Sequence, residues 1–471
     1  MRPKVTVYIT CHNYSRFVEK AVASVFLQIF ENWELIIIDD GSTDDSKEVI
    51  NNIKYTTDKR VKTIFNEKTK GLPFCANLAL KEAKGEYLIR LDADDYFDEA
   101  ALLTMTTILD KNSEIALVFP NYILIDEDGT YLGVEQRKRL GSESIVHDLP
   151  AHGACTMFRK RVIKGIGGYS SDYSAQDGYQ IWLELLNRYK FADITTPLFF
   201  YRQHNLSMSK NLEKLYKARK MIKSDIAARG KGDVKLRTAC IIPAKNTYKD
   251  SPNICLEHIA GKPLIDYAVE AALDSKQIGH IQITSDDKKV LDYCLKKFPK
   301  VLTNLRPKEL SYKQVKLISV MRDATFQLEK EHSIYTDIVA VINIHNPFIE
   351  GSDIDEAIDT LRIYDVDSVT SVYEDFDLHF IHGQLGLEPI NKGAMNQLRL
   401  EREALYVDNN AIKIFWRDVL SGENLFGKTL GHVVMPFNKS WLVGNNENNW
   451  IIEELIKKKL NKEKNEKNAV L

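Results

Sequence analysis

Three carboxylates stand close together at the end of an apolar run in the first quarter of the chain. Residues 87–91 are followed by Asp92, Asp94 and Asp95. Because like charges at short range repel one another, such a group is stabilised by a divalent cation or by protonation. Carboxylate oxygens suit Mg²⁺ or Mn²⁺, and these ions often complete their coordination shells with substrate phosphates. The stretch therefore predicts a metal and diphosphate site, with a solvated acidic turn as the alternative.

Length and composition limit the classes of protein to which this chain can belong. At 471 residues it is too long for one ordinary core, so we expect two or three domains. A hydrophobic fraction of 44% and a charged fraction of 28% are typical of soluble globular proteins. The net charge of -2 gives no electrostatic case for a nucleic-acid partner.

The sequence also indicates a cellular location. No apolar run reaches the roughly 18 residues that span a bilayer, and Met1 is followed at once by a strand pattern. We therefore expect neither a transmembrane segment nor a signal peptide. Six scattered cysteines without a C-x-x-C motif indicate reduced thiols in a cytoplasmic protein.

Alternating strands and helices must position the carboxylates. Buried strands are predicted at 5–10, 35–38, 61–66 and 87–91, and helices at 17–26, from 44 to about 53, and at 71–84. This alternation indicates an α/β sheet with parallel order, in which ligands bind beyond the carboxyl ends of the strands. Thr10, Asp40 and the pair Asp94 and Asp95 each follow a predicted strand, so we expect them at one edge of the sheet.

Seven motifs occur one after another in this half of the chain. They are Thr10-x-x-Asn13-Tyr, Glu34-Leu-Ile-Ile-Ile-Asp-Asp40-Gly-Ser-Thr-Asp44, Gly85-Glu-Tyr, Leu91-Asp-Ala-Asp-Asp95, Arg159-x-x-x-x-x-x-x-Gly167-Gly-Tyr, Gln176-Asp177-Gly-Tyr-Gln-Ile-Trp-Leu-Glu-Leu and Tyr201-Arg-Gln-His204. Over residues 4–208 the chain resembles family 2 glycosyltransferases of the GT-A fold. The resemblance implies transfer of a sugar from a nucleoside-diphosphate donor to a glycan or lipid-linked acceptor.

The resemblance implies a role for each acid near the donor. Asp40 binds the base of the donor, with Thr10 beside it. Asp94 lies near the ribose or the metal, and Asp95 is the main metal ligand, with Asp92 completing the D-x-D pattern. The implied cofactor is Mg²⁺ or Mn²⁺, which stabilises the charge of the leaving diphosphate.

Two residues further along the chain are implied in catalysis and metal binding. Asp177 takes the proton of the acceptor hydroxyl, which is a weak nucleophile and needs a positioned base. A single displacement of this kind inverts the anomeric centre. His204 is implied near the diphosphate as a metal ligand. The alternatives are that Asp177 caps the helix that follows it and that His204 is a surface loop residue. We interpret Asn77 as structural.

Residues 209–236 form a predicted basic helical linker. Six lysine and arginine residues are interleaved with apolar ones between 210 and 223. We favour a solvated amphipathic helix, and the alternative is a surface for a membrane or an anionic acceptor.

The second half repeats the alternation of strands and helices without repeating the sequence. The relevant motifs are Ile241-Ile-Pro-Ala-Lys245, Gly261-Lys-Pro-Leu-Ile, Ile283-Thr-Ser-Asp-Asp287, Arg306-Pro-x-Glu-Leu, Asn346-Pro-Phe, Asp367-Ser-Val-Thr-Ser-Val and Tyr406-Val-Asp-Asn-Asn-Ala411. Residues 237–458 resemble the cytidylyltransferases that activate acidic sugars such as sialic acids. The resemblance implies a nucleotide site that includes Lys245, Lys249, Asn343 and Asn409, and a homodimer formed through this domain.

The second domain departs from that family's pattern where the chemistry takes place. Its nucleotide loop lacks the glycines of that family. Lys245 occupies the position of the family's arginine, but a lysine cannot form the two parallel hydrogen bonds that a guanidinium forms. The residues at 441–449 are rich in asparagine where the family supplies aspartates for magnesium. The family's glycine in its Asn-Gly-Ala segment is Asn410 here. We therefore favour altered or lost nucleotidyl transfer.

The complete prediction is an α/β protein with two nucleotide-binding-type domains. A GT-A glycosyltransferase domain at 1–208 is followed by the linker at 209–236, a cytidylyltransferase-like domain at 237–458 and a charged tail at 459–471. We predict a cytoplasmic, metal-dependent, inverting glycosyltransferase of surface-polysaccharide synthesis, with peripheral membrane association as an open alternative. The rival hypotheses are a bifunctional enzyme that also makes a CMP-sugar and a non-catalytic nucleotide-sugar binding scaffold.

Overall fold

The structure is a computed structural model in which the chain divides into two compact units. It describes residues 2–135, 153–173, 177–186, 188–204, 212–229, 236–245, 247–248, 251–312, 314–383, 386–390, 404–444 and 449–469. The first unit comprises residues 1–222 and 378–402, and the second comprises 223–377 and 403–471. The unit boundary therefore falls inside the segment that was predicted as a linker, and residues 378–402 belong with the first unit.

The elements of the first part of the chain follow the predicted alternation. In chain order they are β1 (Val5–Cys11), α1 (Val18–Phe26), β2 (Trp33–Asp39), α2 (Ser46–Asn52), β3 (Val61–Phe65), α3 (Leu72–Glu82), β4 (Tyr87–Asp92), β5 (Tyr96–Phe97), α4 (Ala101–Lys111), β6 (Ile115–Ile125), β7 (Tyr131–Glu135), β8 (Met157–Arg159), α5 (Lys160–Gly165), α6 (Asp177–Leu185), β9 (Lys190–Arg202) and α7 (Leu212–Arg229). The four predicted strands are present as β1 to β4.

Nine described strands of the first unit form one sheet. The strand order is β3-β2-β1-β4-β8-β6-β9-β5, and β7 pairs with β6. The strands β1 to β4 are parallel, as predicted. The prediction of parallel order is wrong for β8, which runs antiparallel to both β4 and β6, whereas β6 and β9 pair in parallel. The continuous apolar run of β1, with Val5, Val7 and Ile9 fully buried, is typical of a strand covered on both faces.

A glycine sets the start of the helix that precedes β4. Gly71 has a φ of 91°, a conformation that side chains disfavour, and the helix α3 begins at the next residue with Pro73 in its first turn. Asn77 on this helix donates from Nδ2 to the carbonyl of Tyr169 at 2.6 Å and accepts from the Tyr169 N–H at 2.9 Å. The structural interpretation of Asn77 is therefore confirmed.

The basic helix α7 is more buried than the solvated linker that was predicted. Ile222 is fully buried, and the side chain of Lys223 is 1% exposed. Within the second unit Lys223 forms an ion pair with Glu356, with 3.3 Å between Nζ and Oε1. The described part of this segment is thus a helix with exposed and buried sides, and the paired Lys223 lies on the buried one.

The second part of the chain contains the remaining elements. They are β10 (Thr238–Ala244), β11 (Thr247–Tyr248), β12 (Ser251–Pro252), β13 (His258–Ile259), β14 (Lys262–Pro263), α8 (Leu264–Asp274), β15 (His280–Ser285), α9 (Lys288–Lys297), β16 (Leu302–Leu305), α10 (Leu317–His332), β17 (Ile338–Ile342), α11 (Gly351–Tyr364), β18 (Ser368–Asp375), β19 (Phe380–Gly383), β20 (Gly386–Pro389), β21 (Leu405–Trp416), β22 (Leu430–Val434) and α12 (Asn449–Ala469). The predicted charged tail is thus a continuation of α12 as far as Ala469.

The second unit is built on a seven-stranded sheet of its own. The order is β16-β15-β10-β17-β21-β18-β22, in which β21 runs antiparallel to β17 and β18. All six cysteines are buried free thiols, as predicted. Over the ranges given above, no helix combines the length and the apolar character needed to cross a membrane.

Candidate functional site

The predicted acids converge at the carboxyl end of β4. Asp92 is the last residue of this strand and lies in register with Thr10 of the neighbouring β1. Asp94 and Asp95 follow in the turn before β5, where the Asp95 N–H donates to the carbonyl of Asp92 at 3.1 Å. The sheet therefore brings Thr10 and the three carboxylates to one edge, as the α/β pattern predicted.

His204 lies directly against this cluster. Its Nε2 is 2.8 Å from Oδ2 of Asp94, and its side chain is 4% exposed. The ring of Phe17 stacks on the imidazole with 5.9 Å between centroids, and Tyr14 meets it edge-on at 5.7 Å. The alternative that His204 is a surface loop residue is therefore wrong. Two aromatic rings fix the imidazole so that one nitrogen points at the carboxylate.

Asp95 is a buried acid with half of its hydrogen-bonding capacity unused. The residue is 1% exposed, and Oδ1 accepts a hydrogen bond from the Arg202 N–H at 2.8 Å. Oδ2 has no hydrogen-bond partner among the described residues. Burial, and then the charges of Asp94 and Asp92, raise the pKa of Asp95 well above its usual range. A cation bound beside the cluster would relieve both effects.

The side chains present fit a hard divalent ion whose shell is completed by other ligands. Across the described ranges, no three His, Cys, Asp or Glu side chains are grouped closely enough to hold a metal ion by themselves. Asp94, Asp95 and His204 offer two carboxylates and an imidazole on neighbouring segments. The carboxylate of Asp92 is paired with Arg90, with 3.0 Å between Oδ1 and Nε. Magnesium sites commonly need only one or two protein carboxylates, because waters and substrate phosphates supply the remaining oxygens.

Arg202 is a site residue to which the sequence motifs assigned no role. Its Nε donates to the carbonyl of Asp94 at 2.8 Å, and its Nη1 donates to the carbonyls of Asp126 and Glu127 at 3.1 and 2.8 Å. The guanidinium lies over the ring of Phe17, 4.7 Å from the centroid. Arg202 therefore holds the acidic turn against the loop after β6. An arginine two residues before His204, at the end of a strand pattern, was the available sequence signal.

The carboxylate of Asp40 is hydrogen-bonded by other residues of the first unit. It accepts hydrogen bonds from the N–H groups of Lys70 and Gly71 and from Nδ2 of Asn66, with the shortest distances at 2.8 Å. These donors, which outweigh the effect of burial, lower the pKa of the Asp40 carboxyl. Asp40 lies one residue beyond β2, which is two strand spacings, or about 10 Å, from β4. It therefore shapes the loop at 66–71 beside the acid cluster.

The second unit carries a cavity of about 530 Å³ at the carboxyl ends of β10 and β17. Lys245, Arg306, Asn343 and Lys413 are among the side chains that line it. Each cation also has a partner in the protein: Lys245 Nζ donates to the carbonyl of Ser311 at 2.7 Å. The structure therefore places the predicted residues Lys245 and Asn343 in one basic cavity, whereas Lys249 lies outside the described residues.

The structure does not bring Asn409 into the lining of this cavity. Asn409 is 3% exposed and does not line the cavity. Its Oδ1 accepts from the Ser371 hydroxyl at 2.6 Å, and its Nδ2 donates to the Ser440 hydroxyl at 3.0 Å. The side chain of Asn409 thus joins two other segments of the second unit and has a structural role. The next residue, Asn410, lines the cavity with a φ of 53°, a left-handed conformation that glycine and asparagine tolerate best.

Comparison with known proteins agrees with this division. The family model described as Glycosyl transferase family 2 matches residues 6–167, and the model described as Cytidylyltransferase matches residues 239–428. The UDP-Glc:alpha-D-GlcNAc-diphosphoundecaprenol beta-1,3-glucosyltransferase WfaP of Escherichia coli is 30% identical over 211 residues, which are 44% of this chain and 80% of the relative. The chain belongs to glycosyltransferase family 2.

Other relatives are matched over less of their length. An uncharacterised glycosyltransferase of Haemophilus influenzae is 33% identical over 130 residues, so the chain spans 51% of that protein and the match covers 28% of this chain. Among solved structures, S. aureus TarS 1-349 in complex with UDP-GlcNAc is matched with 17% identity over 49% of this chain and 68% of that chain, with a TM-score of 0.41. We draw no argument from a score this low.

Membership in family 2 confirms the resemblance drawn from the motifs of the first half and the GT-A assignment that it carries. The match at 239–428 confirms the cytidylyltransferase-like domain. In this family 2 glycosyltransferase the predicted base, Asp177, is the first residue of α6. Its side chain lies outside the described residues. The helix itself is anchored by Trp182, which is buried between Phe119 and Phe191 with centroids at 5.8 and 4.8 Å.

Proposed function

We propose that the first unit transfers a sugar from a nucleoside-diphosphate donor to a hydroxyl of a glycan or lipid-linked acceptor. The observation that carries this proposal is the pair of Asp94 and His204, 2.8 Å apart, beside the unpartnered oxygen of the buried Asp95. Such a group favours a divalent cation and, with it, a diphosphate. The relative from E. coli, which is named for a UDP-glucose donor and a diphosphoundecaprenol acceptor, supports the same class of reaction.

The donor is bound along the edge of the sheet in this proposal. Asp94 and Asp95, with His204 beside them, would hold Mg²⁺ or Mn²⁺, which would supply Lewis-acid stabilisation of the leaving diphosphate. Asp92 and Thr10, which are in register on adjacent strands, face the nucleoside. Asp40 positions the loop that receives the base, because its carboxylate organises residues 66–71.

Asp177 is the proposed general base. Its carboxylate accepts the proton of the acceptor hydroxyl while that oxygen forms a bond to the anomeric carbon. The bond between the anomeric carbon and the diphosphate oxygen breaks, and the nucleoside diphosphate leaves with the electron pair. Because attack and departure occur on opposite faces, the product has the inverted configuration.

A screen of donors tests this proposal on the full chain. UDP-, GDP-, dTDP- and CMP-sugars are incubated with Mn²⁺, and release of nucleotide is followed for the wild type, Asp177→Asn and Asp45→Asn. Asp45 is an exposed acid of the same unit without a side-chain capping bond, so it is the matched control. We expect one donor to turn over, Asp177→Asn to lose turnover and Asp45→Asn to retain it. Equal turnover in the wild type and Asp177→Asn would remove Asp177 from the reaction.

We propose that the second unit binds a nucleotide in its basic cavity and has altered or lost cytidylyl transfer. The cavity of about 530 Å³ and its three cations, Lys245, Arg306 and Lys413, support nucleotide binding. The ion pair of Lys413 with Asp408, at 2.7 Å, supports altered chemistry because it compensates one of those charges. The alternatives are a bifunctional enzyme that also makes a CMP-sugar and a non-catalytic scaffold.

The nucleotidyl transfer is tested in the full chain with CTP, Mg²⁺ and a panel of acidic sugars. The variant Asp94→Asn silences the first unit, so any pyrophosphate released comes from the second. Release of pyrophosphate that depends on the acidic sugar would overturn the loss of activity and support the bifunctional enzyme. Absence of pyrophosphate release in this variant, together with absence of sugar transfer by the wild-type chain, would support the scaffold.

We also propose a homodimer formed through the second domain. The support is the match of residues 239–428 to the family model described as Cytidylyltransferase, the resemblance from which the dimer is inferred. Light scattering of the purified chain measures its mass in solution, and a monomeric mass at micromolar concentration would contradict the dimer.

A further inference from the structure

The first unit has a second cavity, which lies far from the acid cluster. Its volume is about 860 Å³, and it opens where β1 and β4 begin, beside Lys4 and Tyr87. The cluster lies where the same strands end. The six residues of β4 rise by about 17 Å between the two places. The cavity is therefore separate from the proposed donor site.

Positive charge dominates the lining of this cavity. Six cationic side chains face two acids there. Both acids form ion pairs with one lysine, since Lys4 Nζ is 2.8 Å from a carboxylate oxygen of Glu86 and 2.8 Å from one of Asp110. Arg159 also has partners within the protein, because its buried guanidinium donates to backbone carbonyls, including that of Ile115 at 2.7 Å.

Four cations of the lining are left without a carboxylate partner in the described part of the chain: Arg2, Lys160, Arg161 and Lys164. Burial lowers the pKa of Lys160, and the charges of Lys164 and Arg2 lower it further. Over the described residues, the lining therefore has more positive charge than its own carboxylates compensate.

Capping of a helix explains only part of this cluster. Lys160 Nζ donates to the carbonyl of Ala83 at 2.8 Å, and Arg2 Nε donates to that of Lys84 at 3.0 Å. These carbonyls follow the C-terminus of α3, where cations are favoured. Arg161 and Lys164 are exposed and make no hydrogen bond or ion pair within the described residues. Their convergence on the same cavity has no structural role in the unit.

The chemistry of the lining selects a class of ligand. Guanidinium groups bind phosphate oxygens through two parallel hydrogen bonds, and lysines add point charges. The hydroxyl of Ser113 and the side chain of Asn32 add neutral polar groups to the same lining. A ligand with one or more phosphate groups would compensate the excess charge, whereas a neutral sugar would not.

We propose that this cavity is a binding site for a phosphate-bearing ligand, held by Arg2, Lys160, Arg161 and Lys164 and separate from the donor site. The site binds its ligand through charge at the edge of the sheet opposite the acid cluster. It stands on the cavity and its unpaired cations, and it does not depend on the proposed glycosyl transfer.

A double variant tests the site without disturbing the core. Arg161→Ser with Lys164→Ser removes the two exposed cations, and Lys54→Ser with Lys59→Ser removes two exposed lysines elsewhere in the same unit as a control. Binding of inorganic pyrophosphate is measured by calorimetry without divalent ions. In a second arm, the full chain is sedimented with vesicles of phosphatidylglycerol or of phosphatidylcholine.

We expect the double variant to bind about 30-fold more weakly than the wild type in the arm that shows binding, at roughly fivefold per surface cation. Binding of pyrophosphate identifies a free phosphate compound as the source, and binding of phosphatidylglycerol vesicles alone identifies a lipid headgroup. The control variant retains the affinity of the wild type. The proposal is overturned if the wild type binds neither probe, or if the double variant binds as tightly as the wild type.

Discussion

Aspartates lie at or just beyond the carboxyl ends of both β4 and β15, but the side chains of the two groups have different partners. After β15, Oδ1 of Asp287 accepts the N–H of Lys289 at 2.8 Å and caps α9. After β4, Asp94 meets an imidazole, and Asp95 keeps one buried oxygen without a partner in the described structure. Asp287 of the second unit is thus used by the helix that follows it. The acids of the first unit are completed by a segment more than 100 residues further along the chain.

Replacing an acid of the first group should have the largest effect. We expect Asp94→Asn to lower kcat for glycosyl transfer by about 10²–10³-fold, which is the typical cost of removing one electrostatic contact to developing charge. The matched change at the other strand end, Asp286→Asn, should leave kcat unchanged. Steady-state kinetics with saturating Mn²⁺ measure both. A similar loss in the two variants would show that the strand ends do not differ in function.

A buried acid of the second unit tests whether an unpartnered oxygen is enough to mark a site. Asp359 on α11 is 2% exposed, and its Oδ2, like that of Asp95, has no hydrogen-bond partner among the described residues. Burial raises the pKa of Asp359 to about 6. The native state therefore binds more protons than the unfolded state between the ordinary pKa of 3.8 and about 6, so its stability falls as pH rises through that interval.

The expected contribution of Asp359 to this fall is about 3 kcal/mol, at about 1.4 kcal/mol for each pKa unit. Asp359→Asn should remove that part of the pH dependence and leave glycosyl transfer intact. Denaturant unfolding at pH 4 and at pH 6.5 measures the difference between the variant and the wild type. Parallel pH profiles in the two proteins would contradict the raised pKa. A loss of transfer would mean that this acid also belongs to a functional site.

Arg202 tests how the first group of acids is held in place. Arg202→Lys keeps the charge but loses the fork that joins the carbonyl of Asp94 to those of Asp126 and Glu127. We expect kcat to fall by about 10–100-fold, in the range found for residues that orient metal ligands, together with weaker activation by Mn²⁺. A titration of activity with Mn²⁺ separates this from a general loss of stability.

Arg16→Lys is the control for Arg202. Arg16 pairs with Glu127 and Asp128 on the same loop, but its side chain is 57% exposed. An exposed pair of this kind contributes only about 0–1 kcal/mol. Activation of Arg16→Lys by Mn²⁺ should match that of the wild type. If Mn²⁺ activated Arg16→Lys and Arg202→Lys equally weakly, the effect would be assigned to the loop rather than to the acidic turn.

The sequence could predict what depends on nearby residues along the chain. The strands β1 to β4 and their polar ends follow from apolar runs of the right length. The antiparallel β8 could not be predicted in the same way, because it is three residues long and its place depends on two distant partners. The position of Asn409 outside the cavity lining could not be predicted for a related reason. Its partners Ser371 and Ser440 are 38 and 31 residues away, and no local pattern shows that they use up its side chain.

The capping role of Asp287 should produce the smallest effect and the clearest contrast with β4. Its side chain satisfies an N–H group in the first turn of α9, so Asp287→Ala should destabilise this helix by about 0.5–2 kcal/mol. Hydrogen exchange at the amides of residues 288–297 measures the change locally. Asp292→Ala, at an exposed position of the same helix, should leave exchange unaltered. If Asp287→Ala instead reduced nucleotide binding while exchange in α9 stayed constant, the acids after β15 would share the chemistry of those after β4. The distinction between the two strand ends would then have to be abandoned.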